Sequence, residues 1–198
     1  MLEIRYDKDK IRRLERELAG FPRNSLPKVM SRGLNRTATG ARTATSRMLA
    51  GEASLKISDV RKRITLKKAT YRKWRAGIKI SRRRIGLIRF RASRTKAGVR
   101  YKRDGGWVLA RHSFIATMKS GHKGVFLRAR YIPKIGWNLP MKSDQRKESI
   151  YELKGPSMGQ VFVGAQDKAN AIYRDSMRRL EENINDQVRL ILRRRLPA

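Results

Sequence analysis

The chain has 198 residues and a mass of 22.9 kDa, with 50 Lys and Arg against 16 Asp and Glu, a formal net charge of +34. That charge argues against an ordinary cytosolic small-molecule enzyme, and 39% hydrophobic residues in packed-element spacings argue against a disordered basic tail. The lack of Cys excludes disulfides and thiolate zinc sites, no apolar run nears the ~18 residues of a membrane span, and Met1-Leu2-Glu3-Ile4-Arg5 is no signal-peptide start, so a soluble, non-exported protein is expected.

In chain order, Asp7 is placed to cap a helix carrying Ile11, Leu14 and Leu18, with Gly20 and Pro22 as its stop. A second helix is predicted from Ser25 to about Leu49, with Pro27 in its first turn. Its buried stripe would hold Val29, Met30, Gly33, Leu34, Thr37, Ala38, Ala41, Ala44, Thr45 and Met48, small residues that let another element approach closely. Ile57-Ser58-Asp59-Val60 resembles a staple and cap for a short third helix ending near Ile64.

The period then changes to two. Ala76, Ile78 and Ile80 alternate with polar or small neighbours, as do Ile88, Phe90 and Ala92 with Leu87, Arg89 and Arg91. Asp104-Gly105-Gly106 is hairpin-turn chemistry between Val99–Arg103 and Trp107–Leu109, and further strands are expected at Phe114–Met118 and Val125–Arg128. From about Ala129 to Glu148 no period is visible, so a loop or arm is expected. Ser157 with Gln160 is a capping box, and Phe162, Ala165, Ala169, Ile172, Tyr173, Leu180, Ile184, Val188 and Ile191 mark one face of a helix to about Arg195. The alternative there is a kink near Gly164 from which the element folds back as two helices. The fold class is therefore α+β, one domain over 1–198: N-terminal helices over 1–64, a basic antiparallel sheet over 65–128, a loop or arm over 129–156, and a long C-terminal helix over 157–196.

The charge is uneven along this plan. Residues 60–143 carry 26 basic side chains and one acid, Asp104, for a net +25, whereas residues 1–59 carry +6 and residues 144–198 carry +3. A polyanion beside the middle segment is the simplest explanation. The candidate DNA or anion contacts are Arg82, Arg83 and Arg84, which precede Arg89 and Arg91 on one strand face, then Arg94 and Lys96 in a loop and Arg100, Lys102 and Arg103 on the next strand. Any one of them alone would be read as a solvated surface charge; it is the density that points to an anion. No recognition helix, zinc finger or RNA-binding motif is present, so nucleic-acid contact would be independent of sequence. Trp74, Tyr101 and Trp107 could stack on bases, but core or hairpin packing is their commoner use.

Catalysis finds little support. His112 and His122 have no nearby acid, the adjacent His112 and Ser113 do not make a catalytic pair by sequence alone, and no phosphate-binding Gly loop is present. No enzyme activity, cofactor or metal is expected.

Four segments together resemble the minor tail protein Z family of long-tailed bacteriophages, the tail completion proteins. They are Leu34-Asn35-Arg36-Thr37-Ala38-Thr39-Gly40-Ala41-Arg42-Thr43, Leu87-Ile88-Arg89-Phe90-Arg91-Ala92, Phe114-Ile115-Ala116-Thr117-Met118 with Gly121-His122-Lys123-Gly124-Val125-Phe126, and Tyr151-Glu152-Leu153-Lys154-Gly155-Pro156-Ser157. The likeness spans most of residues 25–195. It implies a virion protein at the head-proximal end of the tail, made in the host cytoplasm, which helps place the DNA end in the tail channel. Expected partners are tail-tube and tail-terminator proteins, further copies of the chain, and phage DNA, with no membrane. Assembly would run through the helices, by way of Leu34, Ala38, Ala41, Phe162, Ile172, Leu180, Ile184 and Val188. The alternative is a general, sequence-independent nucleic-acid-binding protein, whose charge would look the same.

Overall fold

The computed structural model describes residues 2–132 and 149–193. In chain order it holds β1 (Leu2–Arg5), α1 (Lys8–Glu17), α2 (Ser25–Glu52), α3 (Ile57–Arg61), β2 (Ile64–Lys67), β3 (Arg75–Ile80) and β4 (Arg84–Gly86). There follow β5 (Ser93–Thr95), β6 (Gly98–Arg103), β7 (Gly106–Arg111), β8 (Ser113–Thr117), β9 (Lys123–Arg128), β10 (Ile150–Glu152), β11 (Lys154–Ser157), α4 (Met158–Gly164) and α5 (Gln166–Arg193). The class is α+β with every strand pairing antiparallel. The elements form two compact units.

The first unit comprises Met1–Met48, Arg61–Ser81 and Ala165–Ala198. Asp7 caps α1 as expected, its Oδ1 accepting from the Asp9 and Lys10 amides at 2.8 and 3.3 Å. Leu14 and Leu18 are buried below it. On α2 the predicted stripe is largely internal: Val29, Met30, Leu34, Thr37, Ala38, Ala41 and Thr45 are all buried. The hydroxyls along this helix bond back to the preceding turn, Thr37 to the Gly33 carbonyl at 3.0 Å and Ser46 to that of Arg42 at 2.7 Å. A small-residue helix can thereby carry hydroxyls into a packed interface without leaving most of them unsatisfied. On α5, Ala169, Ser176, Leu180, Ile184 and Val188 are buried at spacings of seven and four, the helical period.

The sheet of this unit has the order β1-β3-β2, with Ile4 opposite Ala76 and Ile64 opposite Ile80. Neither β1 nor β2 was expected from sequence. Lys10 of α1 is ion-paired with Glu181 of α5, which raises the lysine above its usual range chiefly through the hydrogen bond. On the exposed side of α5, Asp175 takes Arg178 and Arg179 at 2.9 and 2.8 Å. Its carboxyl is lowered, first by the Arg178 hydrogen bond.

The second unit comprises Leu49–Val60 and Arg82–Gly164. Its sheets have the orders β5-β6-β7, β10-β9-β8 and β11-β4. The β6–β7 turn is the expected one: Asp104 and Gly105 both have positive φ, 50° and 80°, the left-handed pair that matches strand twist in a two-residue hairpin. β9 buries Val125, Phe126 and Leu127 in succession, because it is the central strand and is covered on both faces. Ile85, Leu87, Phe90, Val99, Leu153 and Met158 complete the core.

Three expectations are corrected here. The basic region is several small sheets rather than one meander. The strand expected over 87–92 is instead a 3-10 turn, Leu87–Arg89, followed by Arg91 at φ 53°. Leu87 and Phe90 are both buried, and their spacing of three suits that turn, whereas alternation would have sent them to opposite faces. The stretch expected as loop or arm ends in β10 and β11, with Tyr151 opposite Leu127 and Lys154 opposite Gly86, while its residues 133–148 lie outside the described residues. The capping box is present, with the Ser157 amide donating to Gln160 Oε1 at 2.9 Å and the Gln160 amide to Ser157 Oγ at 3.2 Å. The long C-terminal helix is present as α5, Gln166–Arg193, and the short α4 before it ends at Gly164.

Candidate anion-contact surface

The register of β5, β6 and β7 sorts the basic residues. Ser93, Arg100 and Leu109 form one cross-strand row, Thr95, Gly98 and Arg111 another, and Lys102 faces Trp107. Side chains alternate along a strand, so these rows share one face of the sheet and Val99, Tyr101 and Ala110 share the other. The second set is buried, with Val99 at 0%, which identifies the inner face. The outer face is therefore cationic, through Arg100, Lys102 and Arg111, around an exposed apolar centre of Trp107 and Leu109.

Arg100 is held in place on this face. Its Nε donates to Ser93 Oγ at 2.8 Å, and its guanidinium lies 4.9 Å from the centre of the Trp107 ring. The ring accepts the cation over its negative face while 56% of the residue stays exposed. No carboxylate stands in the register rows of this face. Like charges two residues apart on a strand repel by a few tenths of a kcal/mol, and an approaching anion relieves that repulsion.

The other predicted cations disperse. Arg82 and Arg83 are exposed before β4, and Arg84 begins it. Arg89 pairs with Asp59 at 3.4 Å, and Arg91 sits in the turn after the 3-10 segment. Arg89 and Arg91 thus do not share a strand face, which corrects that expectation. Arg94 in β5 donates from Nη2 to the Ile115 carbonyl at 2.8 Å, Lys96 occupies the β5–β6 turn, and Arg103 pairs with Asp104 at 3.2 Å. The structure adds Arg111, which sequence reasoning omitted; two positions beyond Leu109 on the alternating strand, it could have been read from period and register together.

The aromatics divide likewise. Tyr101 is a core residue, Trp74 donates from its indole to the Tyr71 carbonyl at 2.8 Å, and Trp107 alone of the three stands mostly exposed. His122 sits in the β8–β9 turn, 3.0 Å from Glu152 Oε1, and His112 stacks on Tyr131 at 4.4 Å between ring centres. Among the described residues no three His, Asp or Glu side chains gather where a metal could be held.

Of the helix residues, Leu34, Ala38, Ala41, Leu180, Ile184 and Val188 are buried inside the first unit. There α2 meets α5, with Asn183 Nδ2 donating to Thr37 Oγ1 at 2.9 Å and Arg36 3.9 Å from Asp186. Phe162 on α4 and Ile172 on α5 are half-buried, and α5 exposes Tyr173, Leu190 and Leu192. No helix among the described residues is long and apolar enough to cross a membrane.

Among known families, the one described as prophage minor tail protein Z (GPZ) matches residues 11–194, nearly the whole chain. No curated protein and no solved structure matches it. The match takes in most of α1, all of α2 to α5 and every strand but β1, including the helix pair, the basic outer face and the capped turn at Ser157. This chain belongs to the prophage minor tail protein Z family, structural proteins of the phage tail.

Proposed function

We propose that this chain acts in tail completion and head–tail joining at the head-proximal end of the tail, with the outer face of β5–β6–β7 toward the DNA path or an acidic tail protein. The observation that carries the reading is that face: Arg100, Lys102 and Arg111 surround the exposed Trp107 and Leu109 with no acid among them. Contacts of this kind need no base reading, as befits a protein that meets DNA of any sequence. Several copies sit at the neck or upper tail beside tail-tube and tail-terminator proteins. The exposed Val163 on α4 and Tyr173, Leu190 and Leu192 on α5, with the half-buried Phe162 and Ile172, are apolar positions on these helices open to neighbours.

A general nucleic-acid-binding protein would present a similar face, but membership of a tail protein family favours the tail role. Imaging the neck and upper tail of the assembled particle tests it. The expected result is this chain beside the tail tube at its upper end, basic face toward DNA or acidic protein; finding it remote from both DNA and tube would overturn the reading.

A further inference from the structure

We propose that the cleft bounded by β4, β6 and β11 is a binding site for a single phosphate group. The cleft has a volume of about 230 Å³, and Arg84, Arg103, Lys154 and Gln160 line it over a floor that includes Tyr101 and Leu87. It uses the inner side of β6, where Tyr101 and Arg103 alternate with the outward Arg100 and Lys102. Cleft and outer face are thus separate surfaces, and the inference stands whether or not the outer face meets DNA.

The chemistry of the lining is that of a donor set. Two arginines and a lysine line the cleft, and among the described residues no carboxylate does. Gln160 turns its Oε1 to the Ser157 amide and hydroxyl, at 2.9 and 3.2 Å, which leaves its amide nitrogen as the donating end. A phosphate offers several acceptor oxygens and nearly two charges, which matches such a set better than the two oxygens and single charge of a carboxylate. The volume is below the roughly 300–1,000 Å³ of sites for drug-sized ligands, which suits a small anion.

These cations do not come from a single run of charge. Arg84, Arg103 and Lys154 belong to three strands, brought together by backbone. Arg84 pairs in register with Ser157, and Lys154 with Gly86. The Leu87 amide donates to the Leu153 carbonyl at 2.9 Å, and the Lys102 amide to the Phe90 carbonyl at 2.8 Å. Between Lys154 and Ser157 the ladder shifts register at Gly155-Pro156, where Pro156 has no N–H to donate. A Cβ on Gly155 would stand 2.8 Å from the Phe90 ring, so the bulge is pressed onto the core. Two of the cations have partial counter-ions, Arg103 with Asp104 at 3.2 Å and Lys154 with Glu152 at 3.8 Å. Both pairs are half-exposed, of the kind that contributes little and rearranges readily. Among the described residues Arg84 has no ion-pair partner.

The test titrates inorganic phosphate into the full chain at fixed ionic strength in sodium chloride, followed by calorimetry and 31P NMR. Saturable binding of one phosphate per chain is expected. Arg84→Gln and Lys154→Gln should each weaken it about tenfold or more, the effect of losing one charged hydrogen-bond partner. Arg84→Lys keeps the charge but not the fork and should fall between, while Arg100→Gln and Lys102→Gln should leave the affinity within about twofold. Circular dichroism confirms that each exposed-site variant is folded. Thymidine 5′-monophosphate and the dinucleoside phosphate TpT then distinguish the source. Displacement by the monophosphate alone identifies a free or terminal phosphate; displacement by both identifies a strand's backbone. Binding that never saturates, or that Arg100→Gln lowers as much as Arg84→Gln, reflects diffuse charge and overturns the proposal.

Discussion

Gly33 of α2 lies directly against Ile184 of α5: a Cβ on the glycine would stand 2.7 Å from Ile184 Cγ1 and 3.5 Å from its Cα. The two helices approach so closely because one of them has no side chain there. Gly33→Ala should therefore destabilise the protein. Overpacking of about 1–3 kcal/mol outweighs the ~1 kcal/mol that alanine gains in a helix. Gly40→Ala on the same helix meets nothing within 4 Å and should stabilise by about 0.5–1 kcal/mol. Thermal or urea unfolding of the two variants would show opposite signs.

Asn35 holds the segment after β2 through a two-way amide bond. Its Nδ2 donates to the Ala69 carbonyl at 3.0 Å and its Oδ1 accepts the Ala69 amide at 2.8 Å. Ala69 is 5% exposed, so Asn35→Leu strands both of its backbone groups. A loss of about 2 kcal/mol is expected in urea unfolding, with faster hydrogen exchange at the Ala69 amide. Asn35→Asp keeps the acceptor but turns a second oxygen toward the carbonyl, and should recover only a fraction of that loss.

Two threonines on α2 should respond oppositely to valine. Thr45 is fully buried and its Oγ1 has no hydrogen-bond partner, so Thr45→Val removes an unsatisfied group and should stabilise by about 1 kcal/mol. Thr37→Val removes the acceptor of Asn183 and should cost about 1–2 kcal/mol. Helix propensity hardly separates the two residue types, so melting temperatures report the polar groups.

For DNA contact, the triple variant Arg100→Gln, Lys102→Gln, Arg111→Gln should weaken duplex binding equally for unrelated sequences. The slope of log affinity against log salt should become shallower by about 0.9 for each phosphate that the variant no longer neutralises. Fluorescence anisotropy at several salt concentrations measures both. An unchanged slope would remove the outer face of β5–β6–β7 from the DNA-binding surface.

What could be read in the sequence was local. The Asp7 cap, the Ser157–Gln160 box and the Asp104-Gly105 turn each depend on residues within three positions of one another. Strands β1 and β2 escaped because both pair with β3, so Ile4 finds Ala76 across some seventy residues and four alternating side chains are too few to show a period. Leu87-Ile88-Arg89-Phe90 carries apolar residues at spacings of both two and three, and only the burial of Leu87 with Phe90 decides between them. At the candidate surface the density of charge was legible, but its division was not. Arg100 and Arg103 look alike in sequence, and alternation within the hairpin turns them to opposite sides.

One strand links this surface to how the protein behaves in bulk. β7 is outermost in its sheet and leaves Trp107, Val108 and Leu109 exposed, a ready template for another strand. A net charge of +34 keeps like copies apart, and the reach of that repulsion is set by salt, about 30 Å at 0.01 M but about 3 Å at 1 M. The salt that strips a polyanion from the basic face also removes the colloidal protection of this edge, so the cleanest preparation is the one most prone to clump.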